Sequence, residues 1–363
     1  LIYQSGYEDL LSICQQITTH RQAFAKPRIE AKILKHIDPA VANDRLLAHL
    51  IAESLLKRID RQLLESKNIF IQEFDIPQTT LFYSMAEAVP FVDAGHFLAN
   101  QYLLAASKGL SSFALLDVGI GNGKQTIEFL RLLAENNTDA RSVDVIGLDP
   151  VEKNIECCRE SLGQLGDQLP FKVEFHPICN LIENLSDRDF ESIRAIGGDA
   201  IFINTAFALH HTSHPLNDET ARTGLLQRLA RLEPRLITLV EPSSNHDTEE
   251  LPKRFHHSWQ HFGNVFALVD EANIADTHKF LIKEKFFGRE IRNIFGVSDY
   301  FRCERHEVYD SWLLRLHRAG FKPYPYSDLR VNLPSYCRYS VSDGLVRLDY
   351  NDLTIVAVLA FSL

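Results

Sequence analysis

The sequence predicts an α/β chain built on a doubly wound, mostly parallel sheet. Two observations carry that reading. After Gly109, short β-rich runs alternate with amphipathic segments of helical spacing. Before Gly109 only helical spacing occurs, with no strand-like alternation of any length. The chain of 363 residues is long enough for a large core with a smaller one attached.

Residues 1–108 read as a helical N-terminal cap. "YEDLLSICQQI" places Leu10, Leu11, Ile13 and Cys14 on one side. "NDRLLAHLIAESLLKRID" does the same with Leu46, Leu47, Leu50, Ile51, Leu55 and Leu56, with Asn43 or Asp44 as N-cap. "AGHFLANQYLLAAS" repeats the pattern. Residues 109–245 form the first part of the core. Strands are expected at 113–118, 143–149, 171–177, 199–205 and 235–242, and helices at 123–136, 151–165 and 218–232. Residues 246–300 break the alternation and read as a helical insert. Residues 301–363 return to the core through "VYDSWLLRLHRAGFKPYPYS", a helix ending near Gly320 and then a strand, and through the apolar strand "LTIVAVLAFSL". Trp312 is assigned to core packing in its helix.

The net charge of -10 lowers the expectation of a nucleic-acid partner, because phosphate binding leans on clustered Lys and Arg. Six cysteines show no metal spacing and read as reduced thiols of a cytoplasmic protein. No run approaches the roughly 20 apolar residues that span a bilayer. No signal peptide is visible, although the sequence opens without Met, and a non-classical secretion route would leave no mark. Self-association into a homodimer stays open.

The stretch "LLDVGIGNGKQTIEFL" is the most informative. A phosphate loop needs G-x-x-x-x-G-K-[ST], but Val118 stands where the first Gly belongs and Gln125 replaces the hydroxyl. The dinucleotide fingerprint fails at its third glycine, where Lys124 stands. What remains is D-x-G-x-G-x-G, with Asp117 at the strand end followed by Gly119, Gly121 and Gly123. That pattern suits S-adenosylmethionine, which has no phosphates. Glycines let the backbone approach the ligand, the helix N-terminus can face its carboxylate, and Asp117 can offset its ammonium. Asp149, closing the next strand in "VIGLDP", is placed to accept from ribose hydroxyls. The three glycines alone would serve a tightly packed strand–turn–helix equally well. Asp117 and Asp149 together favour the ligand.

"DAIFINTAFALHH" resembles the fourth-strand segment of class I methyltransferases, "RLITLVEP" their fifth strand, and "LHRAGFKPYPYS" the approach to their sixth. That resemblance implies a Rossmann-like methyltransferase sheet of order 3-2-1-4-5-7-6 with the last strand antiparallel. The helical cap and insert are expected to roof the cofactor cleft. Asn204 and Thr205 would lie at the floor of the transfer site, and Cys179 and Asn180 near the adenine. No "NPPY"-type motif follows strand four, which argues against an amide- or DNA-methylating enzyme.

The flanks resemble a narrower family. "FVDAGHFLANQYLLAA", "LVEPSSNHDTEELPKRFHHSWQHFGNVFALVDEA", "FFGREIRNIFG" and "RCERHEVYDSWLLRLHRAGFKP", with the C-terminal strand, are similar to the GRAS domain, best known from plant transcriptional regulators. Its VHIID motif corresponds to "FALLD", and its PFYRE and SAW segments fall on 240–320 and the C-terminus. The resemblance runs from about residue 7 to 363. Plant members generally have a degraded glycine loop, whereas "DVGIGNG" is intact here, as in the bacterial branch.

The expected function is S-adenosylmethionine-dependent methyl transfer to a small molecule, a carboxylic acid among the candidates. The alternative is a non-catalytic GRAS module that binds a ligand or protein. Candidate bases at strand tips are His210, His211, Glu241 and His246, although a lone histidine is more often structural. His96 and Asn100 are placed at the cofactor, because helices before the first strand often close over it. Asn245, Arg254, Glu290, Arg292 and Asn293 read equally as the polar end of a substrate pocket, suited to a carboxylate, or as an ion-pair network fixing the insert to the core. No metal site is expected. "HHTSH" (His210, His211, His214) lacks an H-x-x-x-H with a third ligand.

Overall fold

The protein is described from a computed structural model, at residues 6–19, 22–30, 43–60, 68–136, 139–198, 200–212 and 220–363; at 22–24, 43 and 44 only the backbone is described. The expected cap at Asn43 or Asp44, and His214, lie outside what is described. The chain divides into two compact units. One comprises Leu1–Pro90, Ser243–Val308 and Tyr350–Ile355. The other comprises Phe91–Pro242, Tyr309–Asp349 and Val356–Leu363. They are called the helical unit and the sheet unit below.

In chain order the elements begin with helices α1 (Tyr7–Thr18), α2 (Gln22–Ile29), α3 (Asn43–Ile59), α4 (Gln78–Ala88) and α5 (Pro90–Ser107). The alternating part follows: β1 (Ser112–Val118), α6 (Lys124–Asn136), β2 (Ser142–Leu148), α7 (Glu152–Gly166), β3 (Lys172–Ile178), α8 (Asp187–Ile196), β4 (Ile201–Ala206), α9 (Ala221–Ala230) and β5 (Leu236–Pro242). Then come α10 (Leu251–Glu271), α11 (Asp276–Leu281), a wider π-type turn over Ile282–Phe287, α12 (Gly288–Gly296) and α13 (Tyr309–Arg318). The chain closes with β6 (Lys322–Pro323), β7 (Cys337–Ser342), β8 (Leu345–Tyr350) and β9 (Leu353–Ser362). No helix among the described residues is long and apolar enough to cross a membrane.

Among the described residues the sheet has nine strands in the order β3-β2-β1-β4-β5-β9-β8-β7, with β6 also on β9. β1 to β5 pair in parallel, and β9 runs antiparallel to β5. The expected 3-2-1-4-5 and the antiparallel final strand are therefore present, but the outer edge differs. The strand expected after Gly320 is only Lys322–Pro323, paired with Ser362 and Phe361, and Pro323 and Pro325 lack the N–H a ladder needs. The edge is built instead by β7 and β8, which only Asp343-Gly344 separate, with Gly344 at φ +65°. Asn351 and Asp352 then turn the chain into β9 with φ +48° and +62°, the positive values a two-residue hairpin turn requires.

The helix α8 was not expected. Its signal is a capping box, in which Ser186 and Asp189 satisfy each other's backbone N–H. One buried face of the sheet packs Leu116, Ile146, Ile203 and Leu239 against Phe190 and Ile193 of α8, Leu226 and Leu229 of α9, and Trp312 and Leu316 of α13. Trp312 thus serves the core. No disulfide joins the six cysteines among the described residues.

Candidate functional site

The glycine loop begins where β1 ends. Gly119 N and Ile120 N both donate to Leu148 O, at 2.8 and 3.1 Å, so the loop is tied to the end of β2. Gly119, Gly121 and Gly123 take φ of +78°, +56° and +82°, which L side chains rarely adopt. A Cβ at Gly119 would stand 2.8 Å from Cβ of Ala208, and one at Gly123 2.7 Å from Sγ of Cys158. Packing therefore also demands glycine at those two positions. Gly121 N donates to Asp149 Oδ2 at 3.1 Å. Asp149 Oδ1 accepts from Val151 N (2.9 Å) and Asn154 Nδ2 (3.0 Å). A carboxylate has about four acceptor sites, so these three bonds hold Asp149 at the loop and leave it one. Burial pushes its carboxyl above the ordinary value, and the three donors oppose this.

Beneath the loop lies a row of polar side chains set by strand register. Asp117 on β1 is aligned with Asn204 on β4, and Asn204 with Thr238 on β5. Residues in register on adjacent strands share a face, so the three side chains meet. Asn204 Nδ2 donates to Asp117 Oδ1 at 2.8 Å, and Thr238 Oγ1 donates to Asn204 Oδ1 at 2.9 Å. The helix α6 completes the row. Gln125 exchanges amide hydrogen bonds with Asn204 (3.1 and 3.2 Å), and the Thr126 hydroxyl donates to Asp117 Oδ2. From α5, Asn100 Nδ2 donates to Gln125 O, and Gln125 Nε2 donates back to Asn100 Oδ1. Burial pushes Asp117 up to about 6, while the bonds from Thr126 and Asn204 hold it down.

Gln125, Thr126, Thr238 and Asn154 were not singled out from the sequence. Gln125 counted only as a failed phosphate ligand, yet it links Asn100 to Asn204. Thr238 did carry a signal, as a polar residue inside the otherwise apolar run "LITLV" of a central parallel strand.

At the tips of β4 and β5 a second arrangement forms. His210 Nδ1 lies 2.6 Å from Glu241 Oε2, and Leu209 N donates to Glu241 Oε1 at 2.8 Å. Both side chains are buried, and burial pushes Glu241 up to about 7. The His211 ring stands 3.7 Å from that of His210. Arg222 Nη2 donates to His210 O at 2.9 Å and fixes the turn. Phe207, beside it, takes φ +53° and donates its N–H to Val240 O. A non-glycine residue held in that region at a strand tip stores strain. The His96 ring sits edge-on to Phe207 at 5.7 Å. His96 is buried, its Nδ1 has no hydrogen-bond partner among the described residues, and burial pushes its pKa down to about 4. Thr205 Oγ1 is likewise buried without a hydrogen-bond partner among the described residues.

Cys179 is exposed at the end of β3, with Sγ 3.7 Å from Pro150 O, and Asn180 Oδ1 accepts from Leu181 N. The sheet unit therefore brings together His96, Asn100, Asp117, the three glycines, Asp149 and Asn204. It places Cys179 and Asn180 beyond the end of the strand next to Asp149.

The remaining candidates belong to the helical unit. Arg254 donates to Thr248 O and Ile294 O and pairs with Asp299 at 2.7 Å. Arg292 pairs with Glu53 (3.3 Å) and Glu284 (2.8 Å). Asn293 Oδ1 accepts from Cys303 N and Glu304 N, and Asn245 Oδ1 accepts from Thr248 N. All four therefore bond to partners within the helical unit. Glu290 differs: it is buried near Glu304, and both burial and that neighbour push its carboxyl up. His246 is buried, with Nε2 2.9 Å from Ser244 Oγ, and stacks on Phe262.

Fold and site together define a mixed α/β sheet protein with a glycine loop at the ends of its first two strands and an attached helical unit. The chain belongs to the GRAS domain family, whose model matches residues 7–335. It is 27% identical over 301 residues to Scarecrow-like protein 5 of Arabidopsis thaliana, covering 78% of this chain and 49% of that protein. It is 25% identical to Chitin-inducible gibberellin-responsive protein 2 of Oryza sativa subsp. japonica, covering 98% of this chain and 68% of that protein. The chain thus spans about half of the first relative. The crystal structure of SCL7 in Oryza sativa shares the fold, with a TM-score of 0.80 at 20% identity over 99% of both chains.

Proposed function

We propose that the sheet unit binds S-adenosylmethionine at the Gly119–Gly123 loop and that the chain transfers its methyl group to a small molecule, a carboxylic acid being the favoured class. The observation that carries this reading is the loop itself: three left-handed glycines between Asp117 and Asp149, with Asp149 anchored by Gly121 N. The residues fit such a ligand. Asp149 keeps acceptor capacity for a ribose hydroxyl. The N-terminus of α6 suits a carboxylate. His96 Nδ1 and Thr205 Oγ1 are buried polar atoms without hydrogen-bond partners among the described residues.

When bound, the cofactor supplies a methyl group already activated by a sulfonium. The protein's task is then mostly positioning. Asp117 is tied up by Thr126 and Asn204, so it anchors the loop and places negative charge near the ligand's ammonium. Cys179 and Asn180 are assigned to the adenine side, and Asn100 supports α6. For an acceptor that must lose a proton, His210 is the base, oriented by Glu241 as a carboxylate orients an imidazole. His211 stands next to it. An intact loop is also the ground for placing the chain in the bacterial branch of its family and for the kinship with methyltransferases.

The names of relatives favour a second reading, a binding module with regulatory output, since one is called Scarecrow-like transcription factor PAT1. Titration calorimetry separates the two. Saturable S-adenosylmethionine binding, weakened at least about tenfold in Asp149→Ala, is expected for loss of a charged hydrogen bond of roughly 1.5–3 kcal/mol. Undetectable binding by the wild type overturns the cofactor reading. Binding without methylated product from a panel of acids and phenols leaves the regulatory module.

A further inference from the structure

The helical unit contains a buried cluster that the methyl-transfer reading does not use. Glu290 on α12 and Glu304 and His306 on the segment after it converge, with one oxygen or nitrogen of each within 4.8 Å of the others. His306 Nε2 lies 3.6 Å from Glu304 Oε2. Ligands of a four-coordinate zinc, at 2.0–2.2 Å from the ion, stand about 3.3–3.6 Å apart. The rings of His246 and His261 pack on His306 at 4.6 and 5.8 Å between centroids. All five side chains are at least nine-tenths buried. Among the described residues, Nδ1 of His246 and Nδ1 of His261 have no hydrogen-bond partner.

We infer that Glu290, Glu304 and His306 form a binding site for a divalent transition-metal ion, with His246 as a further nitrogen donor. Two carboxylates brought together in a buried place repel unless one is protonated or a cation sits between them. Arg302 Nη1 donates to the backbone carbonyls of His246 and Glu304. The other nitrogen of His246 is held by Ser244 Oγ at 2.9 Å, as the second nitrogen of a metal-ligating histidine commonly is. A mixed imidazole–carboxylate set favours zinc and its neighbours over magnesium or calcium.

The test uses the full chain stripped with a chelator, with zinc chloride as probe. One equivalent per chain is expected by calorimetry, together with a zinc-dependent rise in Tm. Cobalt(II) should give visible absorption bands that zinc abolishes. Glu290→Gln and Glu304→Gln should each weaken zinc at least about a hundredfold. A control is His176→Ala, in the more exposed group Asp144, Glu174 and His176 of the sheet unit, and it should change nothing. No zinc binding by the wild type, binding unaltered in both Gln variants, or binding lost in His176→Ala overturns the proposal. Should the Gln variants fail to fold, absence of the cobalt bands in the wild type overturns it equally. S-adenosylmethionine binding is a separate readout, so failure of one reading leaves the other standing.

Discussion

The two units bury polar groups in opposite styles. In the sheet unit, Asp117, Asn204, Thr238, Gln125 and Thr126 satisfy one another in a row laid out by strand register. In the helical unit, Glu290, Glu304, His246, His261 and His306 are crowded together from different elements, and Nδ1 of His246 and Nδ1 of His261 have no hydrogen-bond partner among the described residues. The satisfied row is a rigid footing for the loop above it. In the crowded cluster, burial and the neighbouring Glu304 push the Glu290 carboxyl up. A buried network that is complete rigidifies its surroundings, whereas an incomplete one points to something else that binds there.

Substitutions can break or sharpen that contrast. The largest effect is expected for Gly119→Val, which forces a β-branched residue to φ +78° and into Ala208. Strain and overpacking together should cost about 3–5 kcal/mol in urea unfolding. Asn204→Ala should follow, at about 2–3 kcal/mol, because it strands the partners of a complete network. A loss below about 0.5 kcal/mol would show that the row is not the footing described.

The next effect concerns pH. Burial pushes His261 down to about 3 from an ordinary 6.5. The unfolded chain therefore takes up that proton first, and stability is lost as pH falls below 6.5. Between pH 7 and pH 5 the wild type should lose about 2 kcal/mol more than His261→Phe. Glu241 has the reverse sign. Its carboxyl is pushed up to about 7 from 4.5, so the folded state holds the proton and stability falls as pH rises through that window. Glu241→Gln should remove this slope in denaturant titrations at stepped pH. The smallest effect is expected at the loop's rim, where Lys124 pairs with Asp93 in an exposed position. Lys124→Ala should change stability by about 0.5 kcal/mol or less.

Much of the sheet was legible because parallel strands and their connecting helices differ in period and punctuation. The edge was harder to read. "CRYSVSDGLVRLDY" contains an Asp-Gly hairpin signal, yet β7 is half exposed, β8 mixes buried with intermediate residues, and both lack the apolar density of β1 or β5. "KPYPYS" looked like a strand, but its prolines allow only two paired residues. The arginines of the insert could be read two ways, because a guanidinium facing a ligand and one facing Asp299 have the same sequence context.

The sequence by itself determined the family, the order of the first five strands, and a loop whose glycines exclude phosphate and dinucleotide patterns. These are properties of adjacent residues, set by local period, by the missing Cβ and by the acidic strand ends. Only the tertiary structure decided that Gln125 and Thr238 join Asp117 and Asn204, and that Glu290, Glu304 and His306 meet. Those partners come from separate elements, and strand register and helix packing fix which side chains face each other.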